Sequence, residues 1–260
     1  MTLRSHIDRR ALLLALGSAA VTWSATSAAQ TAAPRRYATM SLIGDTLYAI
    51  GRGEQTGSHM SRNTTTEIKI TGDIVDRAAL GVVNEAIVKA DPGAKPLSLL
   101  VDEPVLYEQQ ARLFDGKFVR LPLSLVKAAK DGGATHVLLL TKQRSPLSFQ
   151  FTRGGRVGQG MASGLGFYVD GETGVRDLGN ENRTEGFLGL FVHIRATVVD
   201  LSSEGIVVDR PITAGAPYIN TREGFGGLPW DALSPAQKVR AISDLLLTAL
   251  RDNVPAVLSA

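Results

Sequence analysis

The run Val137-Leu138-Leu139-Leu140 constrains the fold more than any other part of the chain. It lies in the β-prone segment 135–141 and has no polar alternation, so both faces of that strand must be covered. This places it in the middle of a sheet with helices on at least one face.

The flanking segments supply those layers. Residues 37–50 read as one or two strands interrupted at Gly44-Asp45, and the Thr-rich segment 64–70 reads as a further strand alternating as one half-buried face requires. A helix follows from Asp73, its expected N-cap. Asp76 suits the positive end of the dipole, Val75, Ala79, Val82 and Ala86 form the apolar stripe, and Asp91-Pro92-Gly93 stops the helix. Segment 97–101 is a short strand. Pro104 opens a second helix through Leu113 and Phe114, and a third helix covers 122–130 before Asp131-Gly132-Gly133. In the C-terminal half, 188–201 and 206–212 form a hairpin around Ser202-Ser203-Glu204-Gly205. The terminal helix starts with Ser234 as cap, Pro235 at its first position and Gln237 completing a capping box, with Val239, Ile242, Leu245, Leu246, Ala249 and Leu250 on one face. No internal repeat is present. The expectation is an α/β (α+β mixed) chain: a single domain over 37–260, two- or three-layered, with a glycine-rich β excursion at 146–190.

The N-terminus has another character. Arg4, Arg9 and Arg10 precede the apolar run 11–21, which is short of the roughly 20 residues needed to span a bilayer and gives way to Ser27, Ala28 and Ala29. This pattern predicts a cleavable export signal over 1–29, cut before Gln30, and a flexible leader over 30–36. Arg9-Arg10 resembles a twin-arginine export signal, although Asp8 departs from that pattern, and the general secretory route stays open. The expected location is the periplasm. Removing three arginines and one aspartate from the formal charge of +3 leaves a mature chain near +1. That balance, with no clustered basic face beyond Arg35-Arg36, gives no nucleic-acid footprint. With no cysteine in the sequence, structural disulfides, Cys-ligated zinc, a thiol nucleophile and a lipid-modified cysteine are excluded. No later apolar run is long enough for a transmembrane helix.

Gly133-Ala134-Thr135-His136-Val137-Leu138-Leu139, then a hairpin carrying Asp200 and Gly205, then a terminal helix, resembles in order the exported envelope accessory domains typified by CsgG and LpoB. The resemblance covers about 95–250. It implies a protein that binds partners or assembles rather than one that catalyses. The chain departs from that group in having no lipid-anchor cysteine.

Catalytic chemistry finds little purchase in the sequence. His59, His136 and His193 stand far apart with no metal-ligand spacing, and read as surface or strand histidines. Gly160-Met161-Ala162-Ser163-Gly164 lacks the spacing and the following helix of a nucleophile elbow, so Ser163 reads as structural. Gly158-Gln159-Gly160 is no dinucleotide fingerprint. Asp102-Glu103 stands before Pro104, where one of the pair is expected to cap the next helix. Asp177, Glu181 and Glu185 with Arg176 and Arg183 read as a solvated loop tip. No catalytic residue, metal ligand or cofactor is expected.

Segment 157–170 is the anomaly. Read as a strand, it puts Val157, Gln159, Met161, Ser163, Leu165, Phe167 and Val169 on one face, and on the other four glycines and Ala162 before Tyr168. A face almost without side chains lets another backbone approach, at a chain-entropy cost of roughly 0.5–1 kcal/mol per glycine. One reading is a glycine-rich loop. The other is a hairpin of 157–170 with 187–199 that projects and docks, with Gly164, Leu165, Phe167, Tyr168, Phe187 and Phe191 as binding residues. Two function classes follow. The first is a non-enzymatic envelope protein that binds an envelope protein partner, or associates with itself, through this hairpin; contact with a membrane surface fits it as well. The second is a periplasmic hydrolase or small-ligand-binding protein with a site of scattered residues such as Asp102, His136 and His193.

Overall fold

The computed structural model describes residues 35–53, 63–151, 155–176, 183–218 and 229–260. The elements run β1 (Tyr37–Ser41), β2 (Thr46–Gly51), β3 (Thr64–Lys69), α1 (Ile74–Ala90), β4 (Leu97–Leu99), α2 (Pro104–Glu108) and a 3-10 turn (Gln110–Leu113). They continue through β5 (Phe114–Asp115), β6 (Phe118–Val119), α3 (Leu123–Asp131), β7 (His136–Lys142), β8 (Arg144–Pro146), β9 (Phe149–Gln150), β10 (Arg156–Val157) and β11 (Met161–Arg176). β12 (Arg183–Asp200), β13 (Ile206–Tyr218), a second 3-10 turn (Pro229–Ala232) and α4 (Pro235–Leu258) complete the chain. The architecture is the mixed α/β one expected, with one mixed sheet of nine strands. The signal segment, leader residues 30–34 and His59 lie outside the described residues, while the Arg36 carbonyl at the end of the leader accepts from Thr135 N and His136 N.

The long strand β12 organises the sheet. β13 pairs along one edge of it, from Leu188↔Tyr218 to Val199↔Ile206. The other edge is shared end to end: β11 takes the first half, up to His193↔Gly164, and β7 takes the second, from Ile194↔Lys142 to Asp200↔His136. β7 and β11 are thus two pieces of one interrupted line, left by the chain after Lys142 and re-entered at Gly164. The next line is interrupted at the same level, because β1 pairs parallel with β7 and β2 pairs parallel with β11. β4 lies outside β1 and β3 outside β2. The break at Gly44-Asp45 read from the sequence is the visible half of this seam.

One face of the sheet carries Leu138, Leu140, Leu165, Phe167, Leu190, Val192 and Ile194, packed under α1 and α4. The opposite face is covered in two pieces. The segment from α2 to α3 lies over Met40, Val137 and Leu139, and Leu147 and Phe149 of the excursion lie over Tyr168, Phe187 and Phe191. As the unalternating run requires, Val137, Leu138, Leu139 and Leu140 are completely buried.

The excursion is where expectation and structure part. β11 pairs antiparallel with β12 over only part of the expected hairpin, 164–170 against 187–193; Val157 pairs with β9, Met161–Ser163 with β8, and 194–199 of β12 with β7. The hairpin does not project. Leu165 and Phe167 are buried under the helices, while Tyr168, Phe187 and Phe191 are buried on the other face, so all five belong to the core and none is on the surface. A strand that buries large residues on both faces is stable only inside a sheet, and β2 and β12 flank it. The glycine face serves that packing: a Cβ on Gly166 would stand 2.0 Å from the Tyr48 carbonyl oxygen. The expected loop tip around 176–185 narrows, because β11 runs to Arg176 and β12 begins at Arg183.

Smaller departures have local causes. β3 is exposed at all six positions instead of half-buried, because it is an edge strand with no helix over it. The second helix stops at Glu108 and tightens into a 3-10 turn, which turns Gln110 inward. Neither Asp102 nor Glu103 caps it, and Asp73 leaves α1 uncapped, its carboxylate instead accepting from Arg77 Nε at 2.7 Å. In α4 the capping box of Ser234 and Gln237 is formed, with Ile242, Leu246, Ala249 and Leu250 buried, but Val239 is 57% exposed.

Candidate functional site

The interruption of two neighbouring strand lines leaves backbone groups without ladder partners, and two side chains take them over. Asp76, on the apolar stripe of α1, is 3% exposed. Its Oδ1 accepts from Ser41 Oγ (2.5 Å), Ile43 N (3.1 Å) and Gly44 N (3.2 Å), and its Oδ2 accepts from the Tyr107 hydroxyl (2.9 Å). Gly44 must lack a side chain here, since its Cβ would stand 2.5 Å from that carboxylate. Burial pushes the Asp76 carboxyl above the usual range, while the Ser41, Ile43, Tyr107 and Gly44 donors oppose the rise. Burial also raises Tyr107, reinforced by the charge of Asp76. Gln110 bridges the same seam: its amide donates to the Leu42 carbonyl (3.2 Å) and accepts from Lys142 N (2.6 Å).

Above the seam the two covering segments stand apart, and a cleft of about 610 Å³ opens between them. Thr46, Tyr48, Thr141, Lys142, Ser163 and Arg195 come from the sheet, Tyr107, Gln110, Ala111 and Phe114 from the α2 side, and Glu67 and Lys69 from β3. Lys142, whose side chain is 9% exposed, pairs with Asp45 at 2.5 Å and lies 5.4 Å from the Tyr48 ring centroid. Arg195 stacks on Phe114 (5.1 Å) and approaches Asp209 through Nε at 3.4 Å. Lys69 pairs with Glu67 at 3.4 Å and donates to Thr46 Oγ1 at 3.2 Å. At the floor the Thr141 hydroxyl is buried with no hydrogen-bond partner among the described residues, opposite Arg195 in the β7–β12 register. The hydroxyl lies beneath the surface of the cleft floor, so a partner from outside reaches it only if the floor opens.

Asp102, His136 and His193 do not converge. Asp102 is exposed on the α2 side. His136 pairs across from Asp200, seven residues along β12 from His193, which at about 3.3 Å per residue separates the rings by roughly 20 Å. His136 Nδ1 meets Thr135 Oγ1 at 2.8 Å, and His193 is buried against the Ala162 carbonyl at 3.3 Å. Burial holds both imidazoles below their ordinary pKa, opposed by Asp200 at His136 and by the Ala162 carbonyl at His193. Ser163 lines the cleft, but among the described residues neither His136 nor His193 is hydrogen-bonded to it. Among the described residues no group of three His, Cys, Asp or Glu side chains is placed to hold a metal.

Of the expected binding residues, only Gly164 reaches the seam, where a Cβ would stand 3.1 Å from the Lys142 side chain. The cleft residues themselves were missed in the sequence reading. Two signals could have found them: Asp76 sits a helical turn before Ala79 and Leu80 and two turns before Val83, a carboxylate in an apolar stripe. His193, Arg195 and Thr197 interrupt the alternate positions of an otherwise apolar strand.

No protein-family model and no curated protein matches this sequence. Among solved structures it is similar to protein XCC0632 from Xanthomonas campestris, of family DUF330, with 9% identity, 87% of this chain and 85% of that one covered, and a TM-score of 0.37. It is also similar to PelC from Paraburkholderia phytofirmans, a dodecamer (10% identity, 84% and 86% covered, TM-score 0.28). A third similarity is to the hypothetical protein CT253 from Chlamydia trachomatis (10% identity, 86% and 99% covered, TM-score 0.27). Similarities this remote leave function to be argued from the cleft.

Proposed function

We propose that the mature chain works outside the bacterial inner membrane as a non-enzymatic binding protein, and that the seam cleft receives a polar segment of its partner. The export half of this reading rests on the basic and apolar pattern of residues 1–29. No helix among the described residues is long and apolar enough to cross a membrane. The binding half rests on one observation: the cleft is wide and polar, yet Lys142, Arg195 and Lys69 each already face a carboxylate. Paired charges of this kind suit recognition by hydrogen bonding and stacking. The hydrolase reading needed Asp102, His136 and His193 in one place. A small polar ligand that opens the floor is the second reading, favoured by the unpartnered Thr141 hydroxyl.

Capture from envelope extracts, run with the parent chain and with Ala111→Trp, tests the proposal. Ala111 is exposed on the cleft wall, so the indole fills the cleft without entering the core. A partner retained by the parent and lost by the variant is the expected result, and equal retention by both overturns the role of the cleft. Ligand-dependent shifts in Tm that Ala111→Trp abolishes would support the second reading instead. For export, the intact mass of the periplasmic protein should correspond to a chain beginning near Gln30, and retention of residues 1–29 there would refute it.

A further inference from the structure

We propose that the exposed edge strand β3 joins two copies of this chain into a two-fold dimer with a continuous sheet, centred on Ile68 and locked by Glu67 of each copy against Lys69 of the other. This inference shares Glu67 and Lys69 with the rim of the cleft but does not rest on what the cleft binds.

The edges of the sheet are not equivalent. β13 carries Pro211 and Pro217, which lie opposite Arg195 and Gly189 in the ladder to β12. With no N–H to give that ladder, both turn their nitrogens outward and remove donors from the free edge, a common defence against strand addition. β4 is only three residues long. β3 has six residues, no proline and an exposed side chain at every position, and among the described strands it pairs with β2 alone.

The backbone decides which registers are possible. Ile70 N donates to the Asp45 carbonyl at 2.9 Å, which continues the β2–β3 register. In an antiparallel ladder inward and outward residues alternate, so Ile68 and Thr66 also aim their backbone groups at β2, while Thr65, Glu67 and Lys69 aim theirs outward. A second copy must therefore set its own outward residues opposite these. An axis at Glu67 itself opposes two carboxylates, and one at Lys69 opposes two ammonium groups. An axis at Thr66 moves Lys69 past the end of the facing strand. An axis at Ile68 sets Glu67 opposite Lys69 twice and Ile68 against Ile68, and cross-strand pairs of those kinds stabilise a sheet.

The side chains around this edge suit burial by a copy. Ile68 lies opposite Leu47, on the helix-covered face, and is 37% exposed. Two residues on, Ile70 lines an apolar hollow between α1 and α4 together with Ile74, 72% exposed, and Val239, 57% exposed. Unpaired backbone, self-complementary charge and exposed apolar side chains thus coincide at one edge.

Sedimentation equilibrium of the exported chain tests the proposal. The parent should show a concentration-dependent doubling of mass. Glu67→Lys and Lys69→Glu alone each set like charges opposite one another twice and should raise the dimer Kd by roughly tenfold or more. The double variant Glu67→Lys with Lys69→Glu restores the opposed charges and should return Kd to near the parent value. Both residues are exposed, so thermal unfolding at concentrations below the dimer Kd should be unchanged throughout, and Ala111→Trp should leave the mass unchanged. A parent that stays monomeric, single variants that dimerise like the parent, or a double swap that does not restore the dimer would each overturn the proposal.

Discussion

Asp76→Ala should be among the most damaging single substitutions in the chain, although it removes only a small polar group. The carboxylate is the acceptor for two buried backbone N–H groups, Ile43 and Gly44, and for the Ser41 hydroxyl. Tyr107 is less affected, since its hydroxyl already has the Val101 carbonyl at 3.3 Å. Each buried donor left without an acceptor costs about 1–3 kcal/mol, so alanine should destabilise the fold by roughly 3–6 kcal/mol, a large part of a typical total of about 5–15 kcal/mol. Asp76→Asn keeps an oxygen at the same place and drops a charge whose burial is unfavourable, so its cost should be about 1 kcal/mol or less at pH 7. Urea unfolding of the three chains, with slopes compared to confirm a common two-state transition, measures both differences. Alanine within about 1 kcal/mol of the parent would refute the acceptor role. Asparagine as damaging as alanine would refute the argument that acceptor geometry, not charge, is what the seam needs. The pH dependence has a definite sign. Because the folded Asp76 carboxyl titrates above its unfolded value, the folded chain holds that proton more tightly. Its contribution is therefore lost as pH rises from about 3.9 through the raised folded value, and Asp76→Asn should remove that loss.

Asp170 should behave in the opposite sense: burial works to raise it, but the Thr173 and Glu172 N–H groups, the Thr173 hydroxyl and Arg52 prevail and hold it below the carboxylate range. Its stabilisation is present above about pH 3.9 and is lost as pH falls through the lowered value, so Asp170→Asn should flatten the acid limb of Tm against pH; an unchanged limb would rule this out. Gly164→Val should lower Tm and not simply alter association, because Gly164 has φ +75° and its Cβ would press on Lys142; an unchanged Tm would show that the re-entry into the sheet tolerates a side chain. Leu246→Ala should cost about 2–5 kcal/mol, since this side chain is buried between α4 and the sheet, and a cost below that of an exposed substitution would show α4 to be peripheral.

The sequence by itself determined the elements whose signals are local. The capping box at Ser234 and Gln237, the β12–β13 hairpin, the interruption at Gly44-Asp45 and the central place of β7 all follow from interactions within a few residues or from one unalternating run, and each is present. The pairing of 164–170 with β12 was legible for the same reason, as two neighbouring extended segments, whereas 157–163 pair with β9 and β8 instead. Only the tertiary structure decided that this hairpin is internal, because its other neighbour, β2, lies more than a hundred residues earlier in the chain. A parallel partner that distant leaves no periodic trace in either segment, so exposed and buried glycine-rich strands read alike. The cleft is further still from local reach. It exists because β7 and β11 share one edge of β12 and leave a seam, and because covering segments from two separate parts of the chain stop short of each other above it. Asp76, Gln110, Thr141 and Arg195 acquire their roles only when those pieces are brought together, since a hydrogen bond or an orphaned hydroxyl is a property of groups in space and not of their order along the backbone.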